Sequence, residues 1–202
     1  MNELNLLMAA KLKGRARVDA AAAYAGISVE DAQSQIGQLA DAGFVTGDQQ
    51  MRITPEGKGR IDELLTAERA TIDRERLGRA YEEFDSHNTT FKSVVTAWQM
   101  KDATTINDHT DGAYDADVIG RLVAVHENFR PLLLQIIESA PRLAPFAGRF
   151  DRAITAVQRG DHTYVARPIM DSYHTVWFEL HEELIGLLGR TRAAEAAAGR
   201  AV

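Results

Sequence analysis

Apolar residues recur at helical spacing through most of the chain, and two short extended runs interrupt them. Leu4, Leu7, Met8 and Leu12 share one face of a helix over residues 2–12. Lys11 and Lys13 sit in its last turn, where cations favour the helix dipole, and Gly14 can end it. A small-residue helix over 18–25 offers Val18, Ala21, Ala22 and Ala25 for close packing, and Gly26 closes it. Ile27 plugs the following turn, and Ser28 caps a third helix over 29–42 with Val29, Ala32, Ile36 and Leu39 facing inward. After Gly43 come the extended runs Phe44-Val45 and Met51-Arg52-Ile53, joined by the short polar turn Gly47-Asp48-Gln49-Gln50. Thr54 as cap and Pro55 at the first helical position restart a helix.

Beyond residue 65 the periodicity is helical throughout. Ile61, Leu64, Leu65 and Ile72 predict one long helix, or two nearly collinear ones meeting near Gly78. Leu77, Tyr81, Phe84, Asn88, Phe91, Val95 and Trp98 alternate steps of four and three, a heptad seam with a polar residue inside it. Residues 101–113 form a polar, turn-rich connector; its echo of a calcium loop fails because His109 and Val118 stand where oxygen ligands are needed. An apolar stripe from Val118 to Ile136 follows, and Pro131 should kink or divide that helix. Phe146, Phe150, Ile154 and Val157 predict a helix over 146–159. The last long helix, about 166–189, carries Ile169, Tyr173, Val176, Trp177, Leu180, Leu184 and Leu187 on one broad face, with Asp171, His174, Phe178, His181 and Ile185 beside it. A helix apolar nearly all round belongs at the centre of its bundle.

The N-terminal order of helix, turn, helix, wing and helix start is the plan of a winged helix-turn-helix, a module that places a helix in the DNA major groove. The expected fold is therefore mainly α: a winged helix-turn-helix with a small two-stranded wing over 1–65, an α-helical bundle over 66–190, and a frayed tail over 191–202.

Charge tempers that picture. The chain's 202 residues carry a net charge of −6. Residues 1–65 hold seven basic and nine acidic side chains, so the basic excess of a strong nucleic-acid binder is absent. The third helix contains no Lys or Arg and exposes Glu30, Asp31 and Asp41. DNA contact would rest on Lys11, Lys13, Arg15, Arg17 and Arg52 for phosphates, with Ser28, Gln33, Ser34 and Gln38 at the base-reading end. The competing reading is a winged helix used for packing or protein contact. Cysteine is absent, which excludes disulfides and thiolate chemistry. No apolar run approaches a membrane span, and the first residues lack the charge order of a secretory signal, so a cytoplasmic location and no membrane partner are expected.

In the bundle, Asn88, Lys92 and Trp98 on one helix, His126 on the next, and Asp171, His174 and Trp177 on the last are the candidates for a ligand pocket. No cofactor is expected, although a divalent metal or a small anionic effector would suit such groups. For a metal, His126, Asp171, His174 and His181 are too dispersed to make a motif, and a buried polar network with Tyr173 is the commoner outcome. No phosphate loop, nucleophile elbow or His-Glu-x-x-His is present; His181-Glu182-Glu183 lacks the second His, so no enzyme is expected.

Residues 1–65 resemble the winged-helix domains of MarR-type bacterial regulators, through Ala21 to Ser28, Leu39-Ala-Asp-Ala-Gly43-Phe-Val45 and Ile53-Thr-Pro-Glu-Gly57. The departures are a short wing and an acidic third helix. The remainder resembles an actinobacterial helical family of unassigned function, through Trp98-Gln99, Asn107-Asp108-His109, Tyr114-Asp115, Gly160-Asp161 and the run Asp171 to His181. A similar region accompanies some phosphoenolpyruvate-utilising, pyruvate phosphate dikinase-like proteins. That implies a regulatory appendage, since the phosphohistidine and nucleotide-binding parts of those proteins are absent here. The layout is also similar to GntR-type regulators. These resemblances imply a transcriptional regulator that binds DNA as a homodimer, its helical part dimerising and sensing a small molecule. The alternatives are a non-DNA-binding regulatory or adaptor protein, or a small-molecule- or metal-binding helical protein.

Overall fold

The structure, a computed structural model, describes residues 2–47 and 50–197. The predicted turn residues Asp48 and Gln49, and the end of the tail, lie outside the described residues. The chain is mainly helical with one small antiparallel sheet.

The N-terminal part runs α1 (Glu3–Lys13), β1 (Ala16–Arg17), α2 (Val18–Ala25), α3 (Val29–Asp41), β2 (Val45–Thr46), β3 (Gln50–Ile53) and α4 (Pro55–Arg69). Local signals place the ends. Gly14 and Gly26 adopt positive φ where α1 and α2 stop. Ser28 accepts a hydrogen bond from the Asp31 N–H at the start of α3, and Thr54 accepts one from the Gly57 N–H at the start of α4. The sheet has three strands in the order β1-β3-β2, one more than the expected wing. Ala16 pairs with Met51 and Val45 with Ile53, so two-residue β1 closes the outer edge of the hairpin. Val29, expected inside, is 46 % exposed, and the inward face of α3 begins one turn later at buried Ala32.

The helical part comprises α5 (Arg74–Gln99), α6 (Gly112–Ser139), a 3-10 turn (Pro141–Leu143), α7 (Pro145–Gln158), α8 (Thr163–Ala166), α9 (Tyr173–Leu187) and α10 (Arg192–Ala197). The break between α4 and α5 falls at residues 70–73 and not at Gly78, since the Asp73 carboxylate caps a new start at Arg76 N–H. Pro131 does not divide α6, which continues to Ser139. The last long helix begins at Tyr173, seven residues later than its periodicity suggests. Ser172 caps it, and Ile169 is 98 % exposed with φ of 71°. Residues 192–197 of the expected frayed tail form α10, and the Tyr81 hydroxyl donates to its buried Glu195 at 2.8 Å.

A single hydrophobic core runs through both parts. Leu4, Leu6, Leu7, Met8, Ala9 and Ala10 are all buried, so α1 is enclosed all round and not along one stripe. It lies among α2, α3, α4 and the sheet, while α2 packs on α7 and α4 on α9. In the bundle, Trp177 of α9 is surrounded by Phe84, Phe91, Phe129 and Phe150, with the Phe91 and Phe129 ring centroids each 4.5 Å away. Asn88, the polar residue of the heptad seam, accepts from Trp177 Nε1 at 3.0 Å, which pins the register of α5 against α9.

Candidate ligand cavity and nucleic-acid face

A cavity of about 340 Å³ opens between α5 and α9, reached also by α10. Its floor is aromatic, from Phe91, Trp177 and Phe178, and its polar groups are Asn88, Lys92, Thr96, Gln99, His174, His181 and Arg192. Four of the residues expected in a pocket therefore meet: Asn88, Lys92, His174 and Trp177. The steps of four and three on α5, and His174-Trp177-His181 on α9, put them on facing helix surfaces.

The charged groups on this cavity's wall are the cations Lys92 and Arg192. Burial pushes His174 below its ordinary value. Burial, aided by the positive charges of Arg192 and Lys92, holds His181 down to about 4. His181 Nε2 lies 3.0 Å from the Tyr81 hydroxyl. Because that hydroxyl already donates to Glu195, the imidazole nitrogen facing it carries the proton. Arg192 pairs with Glu182 and lies over the Phe178 ring. Lys92 and the His174 ring have no hydrogen-bond or ion-pair partner among the described residues. An aromatic floor with an ammonium and an imidazole aimed across it suits a small anion bearing an apolar body.

The other expected pocket residues lie elsewhere. Trp98 borders a different cavity. His126 on α6 faces the Tyr173 hydroxyl at 3.4 Å and Asp151 at 3.5 Å. Asp171, placed before α9 and not on it, turns toward the N-terminal part. The dispersed metal candidates His126, Asp171, His174 and His181 are thus not brought together, and no metal-ligand cluster of three occurs among the described residues.

Asp171 belongs to a buried ionic network that joins the two parts of the chain, and sequence reasoning missed it. Lys13 of α1 donates to Asp171 at 3.0 Å and to Glu179 at 2.7 Å. Arg149 of α7, fully buried, donates two hydrogen bonds to Asp171, at 2.8 and 2.9 Å, and a further one to Glu179. Its guanidinium lies 4.8 Å from the Tyr24 ring centroid and 4.9 Å from that of Phe146, two rings that touch each other edge to face. Burial alone would raise the Asp171 carboxyl; the Arg149 and Lys13 charges outweigh it and hold it at about 2. One turn on, Glu183 receives Arg142 through two hydrogen bonds and the Tyr24 hydroxyl through a third, while Arg142 also reaches Glu68 and Asn5. The available signal was Glu179 and Glu183 four residues apart among the large apolar residues of α9, with Arg149 between Phe146 and Phe150.

This network corrects the expected nucleic-acid face. Lys13, 12 % exposed, is held in ion pairs and cannot reach phosphate. Arg17 is exposed and pairs with Asp19. Lys11, Arg15 and Arg52 are exposed. Because Arg17 pairs with Gln50, and Gln50 and Arg52 alternate with buried Met51, Arg17 and Arg52 stand on the same outward face of the sheet. Gln33, Ser34 and Gln38 are exposed along α3, whereas the Ser28 hydroxyl is engaged with Asp31. No helix among the described residues is long and apolar enough to cross a membrane. No protein-family profile matches the chain, and no curated protein or solved structure does.

Proposed function

We propose that the protein is a one-component transcriptional regulator whose N-terminal part, a winged helix of MarR type, contacts DNA as a homodimer. The bundle would take a small anionic effector between α5 and α9. One observation carries the reading: the succession α1-β1-α2-α3-β2-β3 closes into a compact unit. That unit leaves the Gln33, Ser34 and Gln38 face of α3 and the Arg17 and Arg52 face of the sheet open to solvent. The amides and hydroxyl would read base edges and the arginines would hold phosphates. The ionic network favours transmission, because a ligand that moves α9 moves Glu179 and Glu183, which are tied to α1 and α2.

Selection from random genomic fragments at low salt tests this. The expected product is a paired half-site with a spacing of about one DNA turn. Gln38→Ala should relax its sequence preference, and Arg17→Gln with Arg52→Gln should weaken binding to all sequences and flatten its salt dependence. Recovery of no enriched sequence would defeat the DNA reading.

A second reading draws on a specific observation. With Lys13 withdrawn, the exposed face of α3 keeps three acids and no base within it. In that case α3 contacts a protein partner in an adaptor role. The double change Gln33→Arg, Gln38→Arg would abolish capture of a stoichiometric partner, where the DNA reading expects tighter phosphate contact.

A further inference from the structure

A second cavity, of about 540 Å³, lies where the loop after α5 meets the segment before α8. Trp98, Gln99, His109, Asp115, His162 and Arg167 line it. Asp115 is buried at the start of α6. Its carboxylate accepts from Asn107 Nδ2 at 2.8 Å and meets His109 Nδ1 at 3.0 Å. The two hydrogens of the Asn107 amide are taken by Asp115 and by the Trp98 carbonyl at 3.1 Å, so Asn107 cannot also donate to His109. Nδ1 therefore carries the hydrogen that meets the carboxylate, and in the neutral imidazole Nε2 presents a lone pair. The imidazole lies against the Trp98 indole, centroids 4.4 Å apart, and its side chain remains 44 % exposed. Its backbone has φ 57°, a left-handed conformation uncommon among non-glycine residues, with the His109 N–H donating to Asn107 Oδ1.

The rest of the wall supplies donors. His162 stands edge-on to Trp98 at 5.9 Å. The side chains of Arg167, His162 and Gln99, and Nε2 of His109, have no hydrogen-bond or ion-pair partner among the described residues. The nearby acids are engaged: Asp161 with Thr163, and Asp108 with Thr110 and Lys101. One guanidinium without a carboxylate and one oriented acceptor nitrogen thus face the same space.

We propose that this cavity binds a small ligand carrying both an anionic oxygen and a hydroxyl, either a phosphate or an α-hydroxy carboxylate. Arg167 takes the anionic oxygen, and His109 Nε2 accepts from the hydroxyl, its tautomer fixed by Asp115. The site is separate from the effector cavity, with which it shares only the border residue Gln99.

The test is side-chain imidazole 1H–15N NMR on the full chain, titrated with inorganic phosphate, glycolate and acetate. In the free protein the His109 ring should report the Nδ1–H tautomer, and Asp115→Asn should remove that preference while the chain stays folded by circular dichroism. Phosphate or glycolate should shift the His109 and His162 signals, a response to phosphate alone naming a phosphate ligand and to glycolate alone a hydroxy acid. Acetate, which has no hydroxyl, should bind several-fold more weakly than glycolate. Arg167→Gln, at an exposed position, should weaken binding on the order of tenfold, as loss of a charge-assisted pair does. The proposal falls if neither probe moves His109, if glycolate binds and acetate matches it, or if Arg167→Gln leaves affinity unchanged. Lys92→Gln, in the effector cavity, should leave all these shifts intact; their loss in that variant would move the ligand there and overturn the proposal, whatever the fate of the DNA reading.

Discussion

Lys13→Met separates a structural lysine from a phosphate-binding one. Lys13 Nζ lies 3.0 Å from Asp171 and 2.7 Å from Glu179. At an effective dielectric of about 20, each contact is worth roughly 5–6 kcal/mol of gross attraction. Opposing terms are large: bringing the ammonium out of water costs several kcal/mol, and Arg149 repels it. Truncation removes those costs along with the attraction, but it leaves Asp171 and Glu179 sharing the single charge of Arg149. Removing one partner of a buried pair costs about 3–5 kcal/mol, and the partial exposure of Lys13 and Asp171 places this case lower, at about 2–3 kcal/mol. For a chain of 202 residues that lowers the melting temperature by roughly 5–10 °C. Lys11→Met, on the exposed side of the same helix, should stay within about 0.5 kcal/mol of the parent. Urea unfolding followed by circular dichroism measures both, and a cycle with Glu179→Gln should return a coupling of about 1 kcal/mol or more. Equal stability of the Lys11 and Lys13 variants, with DNA affinity lost only in the latter, would refute the assignment and return Lys13 to the phosphate-binding face.

Three further outcomes follow from the same geometry. His181, held down to about 4 against an ordinary value of 6.5, stays neutral in the fold while the unfolded chain takes up a proton. Stability is therefore intact above about pH 6.5 and falls as pH drops toward 4, by on the order of 2–3 kcal/mol, and His181→Gln should flatten that slope in unfolding curves across the window. Tyr24→Phe removes one of the donors to buried Glu183 and should cost about 1–3 kcal/mol by urea unfolding, with little change in the slope of the transition. Gly57→Ala would set a methyl group 2.1 Å from the Phe44 carbonyl and 2.6 Å from the Ile53 side chain. It should cost about 2 kcal/mol or more and loosen the hairpin, seen as faster amide exchange at Thr54 and Val45.

The sequence by itself determined the elements that local chemistry dictates. Ser28, Thr54 and the glycines after α1 and α2 place helix ends because capping acts within three or four residues. The seam from Leu77 to Trp98 was legible because one helix face repeats whatever covers it, and for the same reason Asn88, Lys92, His174 and Trp177 could be named as pocket residues. Tertiary structure decided what depends on partners distant in the chain. Periodicity carried α9 back to residue 166, but Pro168 and the Ser172 cap start the helix at Tyr173, and tertiary structure decides where the preceding turn goes: Asp171 pairs with Lys13 and Arg149, and Ile169 is left in solvent. The tail reads as fraying because it lacks large apolar residues, yet Glu195 finds Tyr81 some hundred positions earlier, and α10 docks. Whether Lys13 is a surface cation or a buried one was likewise undecidable locally. An ammonium in the last turn of a helix favours its dipole in either case, and only the approach of Asp171 and Glu179 from the far end of the chain takes it out of water.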